Sequence, residues 1–135
     1  MAEIPGDQAQ RRPHPQPLAE SYLEFNLTRE LEQLLKEPEW RAGHNSKTLV
    51  KYDTLRVVLI ALRAGGSIPE HKAAGPISIH TVRGRIRVHA LGRTFDLPAG
   101  GLLTLDQGVP HDVEGVEDSA FLLTMSWPGR ENRAM

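Results

Sequence analysis

The second half of this chain is cut into short pieces, and that punctuation limits what it can fold into. Between Thr48 and Trp127 the apolar-polar runs are Thr48 to Tyr52, Leu55 to Leu62, Ile77 to Val82, Arg85 to His89, Thr94 to Leu97, Leu102 to Leu105, His111 to Glu114 and Ala120 to Trp127. The separators include Ala64-Gly65-Gly66, Arg83-Gly84, Leu91-Gly92, Pro98-Ala99-Gly100-Gly101 and Asp106-Gln107-Gly108-Val109-Pro110. Glycine tolerates positive φ and proline presets φ, so each separator is a turn. Alternation with a period of two puts every second side chain on one face, which is the pattern of a strand and not of a helix. Strands at such regular spacing predict an antiparallel sandwich or small barrel, an all-β architecture.

Ahead of the strands the pattern changes. Leu27, Leu31, Leu34 and Leu35 fall on one face of a helix, with Glu30, Glu32, Lys36 and Glu37 directed to water. Asn26 or Thr28 can cap its start, and Pro38 disfavours helical geometry at Glu37, so the helix is expected to end there. Trp40 is placed to pack the helix onto the next element. Four segments result: a Pro-rich tail over 1–20, a helix and connector over 21–47, a β-barrel over 48–128 and a tail over 129–135. The first tail carries Pro5, Pro13, Pro15 and Pro17 among polar residues, a composition with too little apolar area to offset the entropy of ordering.

Composition narrows the function classes. With 135 residues the chain has the length of one domain, and its formal net charge of -1 lacks the long-range pull that draws proteins to nucleic acid or anionic membranes. No nucleic-acid partner is expected. The absence of cysteine excludes disulfides and thiolate metal sites. No apolar run reaches the roughly 20 residues of a membrane helix, and the start of the chain lacks a signal-peptide core. The expectation is a cytoplasmic protein with no membrane partner.

Two runs depart from alternation. Val57-Val58-Leu59-Ile60-Ala61-Leu62 and Phe121-Leu122-Leu123 are apolar on both faces, so each needs a cover on its outer side. The helix can cover one of them. A second copy of the chain covering the other makes a homodimer the expected assembly.

Single histidines stand among the turn glycines. Gly65 precedes His71 and Gly84 comes after it, and further along lie Gly100, Gly108, Pro110 and His111. These spacings resemble the two short histidine motifs of the cupins, and the likeness spans Thr48 to Trp127. It implies a double-stranded β-helix barrel, or jelly roll, preceded by one amphipathic helix. Cupins usually show a glycine, two histidines separated by one residue, a glutamate four positions later and a closing glycine. Gly65, His71 and Gly84 occupy the matching positions, but Ala73 stands at the second histidine and Ile77 at the glutamate. In the second motif Gly100, Gly108 and His111 fall in register, with Asp106 at the usual proline and Gly115 at the usual asparagine.

The resemblance implies a divalent transition metal, iron, manganese, zinc or nickel, held by three histidines and a carboxylate, of which only His71 and His111 are kept here. His80 is the candidate third ligand. Alternation with Ile77, Ile79 and Thr81 sends His80 to the opposite face, and a bulge after Pro76 would bring it back. His89 shares its face with Arg85 and Arg87 and is expected in solvent. Glu70 is expected outside as well, because neighbours along a strand point to opposite faces. Arg83, Arg85, Arg87 and Arg93 are readable as a patch for a carboxylate or phosphate, or as partners of Asp112, Glu114, Glu117 and Asp118. No nucleophile constellation or phosphate loop occurs.

The first reading of function is a binding module that holds a small organic molecule in a largely apolar pocket lined by His71, Ala73, Ile77, Ile79, Thr81 and His111. The second is a metal-dependent enzyme, a dioxygenase, isomerase or decarboxylase, using His71, His111 and a non-standard third ligand. The third is a structural or regulatory dimeric module in which neither histidine matters.

Overall fold

The structure of the protein is a computed structural model that describes residues 18–127. Among the described residues one helix, α1 (Leu27–Leu35), precedes nine strands: β1 (His44–Lys51), β2 (Leu55–Leu62), β3 (Ser67–His71), β4 (Ile77–Arg83), β5 (Arg85–Ala90), β6 (Arg93–Pro98), β7 (Leu102–Leu105), β8 (His111–Gly115) and β9 (Ser119–Ser126). They form two sheets, β1-β2-β9-β4-β7 and β3-β8-β5-β6. All strand pairs are antiparallel. The inner faces meet in one core, with Val58, Ile60, Ile79, Phe121 and Leu123 from the larger sheet against Ile68, Ile86, Val88 and Val113 from the smaller. Burial of these apolar faces is the main force holding the sheets together.

Two elements differ from the sequence expectation. β1 begins at His44, inside the expected connector, because its inward Ser46 and outward Asn45 and Lys47 carry no apolar alternation and only the pairing with β2 makes it a strand. β3 has no counterpart among the expected strands. It offers one buried apolar residue, Ile68, and contains Pro69, which removes a ladder donor, so its strand character comes from pairing with β8.

The helix is capped by Asn26, whose Oδ1 accepts a hydrogen bond from the Arg29 amide at 3.1 Å. Leu31 and Leu34, with Phe25, Leu27 and Trp40 beside them, pack on Leu49, Leu59, Ala61 and Ala120. β2 and β9 are neighbours, with Leu59 opposite Leu122 and Ala61 opposite Ala120, so Ala120 of β9 joins the cluster that the helix makes on the outer face of β2, while Leu122 stays only partly buried beside it. Trp40 is held by its indole N–H donating to the Glu37 carbonyl at 2.7 Å and by the Arg63 guanidinium 4.1 Å from its ring centroid.

Glu30 is not solvated as its helical position implied. It is buried, and its Oε1 lies 2.5 Å from Nζ of Lys47 on β1. The boundary of the N-terminal tail also moves: the Leu18 carbonyl accepts from the Lys51 amide at 2.8 Å, and the Glu20 carbonyl accepts from the Tyr52 hydroxyl at 2.8 Å, so 18–20 are tied to the barrel. The rest of that tail and the segment 129–135 lie outside the described residues. Among the described residues no helix is long and apolar enough to cross a membrane.

Candidate functional site

His71 and His111 are cross-strand partners on β3 and β8. Ile68 pairs with Val113 and His71 with His111, so β3 spends one more residue than β8 over this stretch, a β-bulge at Pro69-Glu70. Its consequence is decisive for the site. Strict alternation from buried Ile68 would turn Glu70 inward and His71 outward; the inserted residue reverses this, leaving Glu70 exposed and bringing the His71 ring against His111. The ring centroids are 4.3 Å apart with the planes tilted by 58°.

Both rings are fixed in the same way. Nδ1 of His71 donates to the Pro69 carbonyl at 3.0 Å, and Nδ1 of His111 donates to the Val109 carbonyl at 2.9 Å. A carbonyl oxygen can only accept, so Nδ1 carries the hydrogen and Nε2 of each neutral ring keeps a lone pair. His111 is only 2% exposed. Burial pulls its pKa below the ordinary histidine value, and the neighbouring His71 adds to this, while the Val109 carbonyl, Asp112 and Glu70 pull the other way. With Nδ1–H committed to a carbonyl on each ring, the two Nε2 atoms are the positions left to meet a ligand.

The remaining expected pocket residues separate. Ala73 is half-buried against the core beside the pair, and its carbonyl accepts from the Gly108 amide at 3.1 Å, tying together the loops after His71 and before His111. Ile77 faces inward, paired with Leu105 and Met125. Ile79 and Thr81 face inward too, but they are packed into the core at 1% and 0% exposure. Thr81 lies about 13 Å along β4 from Ile77 at strand rise. Its Oγ1 is buried and finds no hydrogen-bond partner among the described residues.

His80 does not join the pair. The β4 register with β9 runs unbroken from Ile77 to Thr81, with the first irregularity only after Thr81, so no bulge turns His80 inward. It is exposed on the outer face, opposite Leu102 and Leu122. His89 is on the outer face of the other sheet. Among the described residues no group of three His, Cys, Asp or Glu side chains is placed to hold a metal ion. The four-donor set that the resemblance implies does not fit these residues, which supply two imidazoles only.

Nor do the arginines converge into one anion patch. Arg83 ends β4 in the other sheet, Arg85 pairs with Asp96 at 3.6 Å, and Arg87 stands in register between Glu114 and Asp96. Between β5 and β8, Nδ1 of His89 lies 2.6 Å from Oδ1 of Asp112, and Nε2 lies 3.7 Å from Oε1 of Glu114. Sequence reasoning places His89 in solvent and misses this contact. Only the β5-β8 pairing, between segments far apart in the chain, sets His89 opposite Asp112.

No protein-family profile matches the sequence and no curated protein does. Solved structures do match. An RmlC-like cupin from Shewanella frigidimarina aligns with a TM-score of 0.67 at 20% identity, covering 87% of this chain and 99% of that one. A conserved protein of unknown function from Streptococcus pyogenes gives 0.65 at 22% identity over 83% and 93% of the two chains. A cupin superfamily protein from Desulfitobacterium hafniense gives 0.62 at 19% identity over 67% and 84%. At such identities the likeness is one of fold, and it agrees with the sheet orders and the spacing of His71 and His111: this chain has the cupin fold, an all-β double-stranded β-helix preceded by one helix.

Proposed function

We propose that this cupin-fold protein is a binding module for a small organic molecule, and that the His71-His111 pair is its recognition point. The observation that carries the reading is the common orientation of the two rings. With both Nδ1–H groups committed to backbone carbonyls, the pair offers two Nε2 lone pairs and no donor, which suits a ligand that brings a hydroxyl, amide N–H or ammonium. Half-buried Ala73 and Val109 supply apolar surface next to it. An alanine in place of a further imidazole leaves room for ligand atoms and removes a donor that metal chemistry would use. A binding role needs only shape and a few hydrogen bonds, and the residues present meet that requirement.

The competing reading is a metal-dependent enzyme. It draws on the same carbonyl contacts, since a histidine that ligates through Nε2 commonly donates Nδ1–H to a carbonyl. One experiment separates the two. Full-length protein purified without chelator is analysed for iron, manganese, zinc and nickel, and is screened by ligand-observed NMR against small hydroxylated and amide compounds. The expected result is folded protein with substoichiometric metal and hits that disappear in the His71→Ala, His111→Ala double variant. Stoichiometric metal that the double variant loses would overturn the binding reading, and so would hits that the double variant keeps.

A further inference from the structure

We infer that Arg93 extends the His71-His111 recognition point into a site for a small hydroxylated carboxylic acid, an inference that rests on the binding reading above and names its ligand class. The strand register carries it. His71 is opposite His111, His111 is opposite Ala90, and Ala90 is opposite Arg93, so the four residues form one row across β3, β8, β5 and β6. The row lies on the inner face of the sheet. Arg93 is in phase with Phe95 and Leu97, which pack on the core, and the β5-β6 pairing runs without irregularity. The next row inward is Ile68, Val113, Val88 and Phe95, all apolar. A polar rim therefore stands on an apolar layer at this end of the barrel.

Arg93 is the member of the row whose side chain has no polar partner. Its guanidinium carbon is 5.3 Å from the Phe95 ring centroid, and among the described residues no hydrogen bond or ion pair satisfies it. Arg85 on the same sheet, by contrast, has Asp96. Glu70 and Asp112, the carboxylates next to the histidines in the chain, are turned out of the row: the bulge leaves Glu70 exposed, and Asp112 Oδ1 is 2.6 Å from His89 Nδ1 on the outer face. The row of the larger sheet at the same end, joined to the first by the connections 72–76 and 106–110, is Arg56, Met125, Ile77 and Leu105. Arg56 holds its guanidinium carbon 4.2 Å from the Trp127 ring centroid. Each row contains a guanidinium and neither contains a carboxylate, so this end of the interior favours an anion.

The spacing along the row sets the ligand class. His111 and Arg93 lie two strand spacings apart, on the order of 10 Å between backbones. Ala90 stands between them with a single methyl group, so the middle of the row holds no bulky side chain. A cavity of about 480 Å³ opens at this edge, lined by Ala90 and Arg93 of the row, by Glu70 and Pro110 beside the histidines, and by His89 and Asp112 of the outer face, among others. That volume lies in the range of small-molecule sites. A carboxylate against Arg93 gains charge-assisted hydrogen bonds from the guanidinium fork, and a hydroxyl at the other end of the ligand donates to an imidazole Nε2. An α-hydroxy acid holds its two groups too close together to reach both ends, whereas a hydroxyl several bonds from the carboxylate is spaced to do so, with a short apolar body over Ala90.

The test titrates the full-length protein with 3-hydroxybenzoate, whose hydroxyl and carboxylate are separated by a ring, and follows binding by ligand-observed NMR. The acid is expected to bind saturably, with 3-hydroxybenzamide, which lacks the charge, and benzoate, which lacks the hydroxyl, each binding about fivefold or more weakly. In Arg93→Gln the acid is expected to weaken by a similar factor and to lose its advantage over the amide, part of which Arg93→Lys retains. Arg93 is exposed, so an unchanged proton NMR spectrum of the protein will show that these variants fold. The His71→Ala, His111→Ala variant is expected to lose the acid. If the acid does not bind, if the amide binds as tightly, or if Arg93→Gln keeps the preference for the acid, the inference is overturned while the binding reading stands on its own test. Acid binding that survives in the double variant overturns both.

Discussion

His111 is buried with its ring 4.3 Å from that of His71, and the only nitrogen on which it can take a second proton is Nε2, because Nδ1 already donates to the Val109 carbonyl. The two residues are forty positions apart in the chain and meet because β3 carries a bulge between Ile68 and His71. Protonating His111 would bury a charge beside another imidazole, so its folded pKa lies below that of the unfolded chain.

That depression sets the sign of the pH dependence. Where the folded pKa is lowered, the unfolded state binds more protons, so the stabilising contribution is complete above the ordinary histidine pKa of about 6.5 and is lost as pH falls below it toward the folded value. His44 is lowered in the same sense, by burial first and by Arg41, against the Ser67 carbonyl. Urea midpoints are expected to fall between pH 7.5 and pH 5, and His111→Gln is expected to flatten that dependence without abolishing it. A midpoint that rises on acidification would contradict the assignment.

The Glu30-Lys47 pair predicts an asymmetry between single and double variants. Both side chains are mostly buried, so Glu30→Ala strands the Lys47 charge between α1 and β1 and is expected to cost about 3 kcal/mol. Replacing both by apolar residues of similar size, Glu30→Leu with Lys47→Met, is expected to restore most of that loss. Denaturant unfolding of the three variants measures the cycle.

Leu91 predicts a stabilising substitution. At φ 57° a leucine carries a penalty of about 1 kcal/mol that asparagine largely avoids and glycine does not incur. Leu91→Asn is expected to raise the melting temperature by a few degrees.

Two turn glycines are expected to respond differently to alanine. Gly65 and Gly84 both have positive φ, at 80° and 73°, but a Cβ on Gly65 would meet nothing within 4 Å, whereas one on Gly84 would lie 2.3 Å from the Asp118 carbonyl oxygen. Gly65→Ala is expected to cost about 1 kcal/mol for the backbone alone. Gly84→Ala must also displace the β8-β9 connection, so its cost is expected to be at least twice as large, as read from thermal unfolding.

Much of the fold is legible in the chain because it depends on local rules. Apolar patterning in Leu55 to Leu62, Ile77 to Val82 and Ala120 to Trp127 marks strands, and glycines at 65, 84, 92, 100 and 108 mark turns that do adopt positive φ. The cap at Asn26 and the apolar face of α1 are visible for the same reason. The spacing of glycine and histidine resembles the cupin motifs, and that resemblance implies the barrel and singles out His71 and His111.

What the tertiary structure alone decided is everything that depends on which strands lie side by side. β3 has too little apolar pattern to declare itself, and its bulge, which turns His71 inward and Glu70 outward, exists only through pairing with β8. The unbroken β4 register keeps His80 outside, the adjacency of β2 and β9 brings Ala120 into the cluster under the helix, and the β5-β8 pairing joins His89 to Asp112. A chain can encode its own alternation residue by residue, but register between distant segments is set by the energy of burying all their faces at once, and no single segment carries that information.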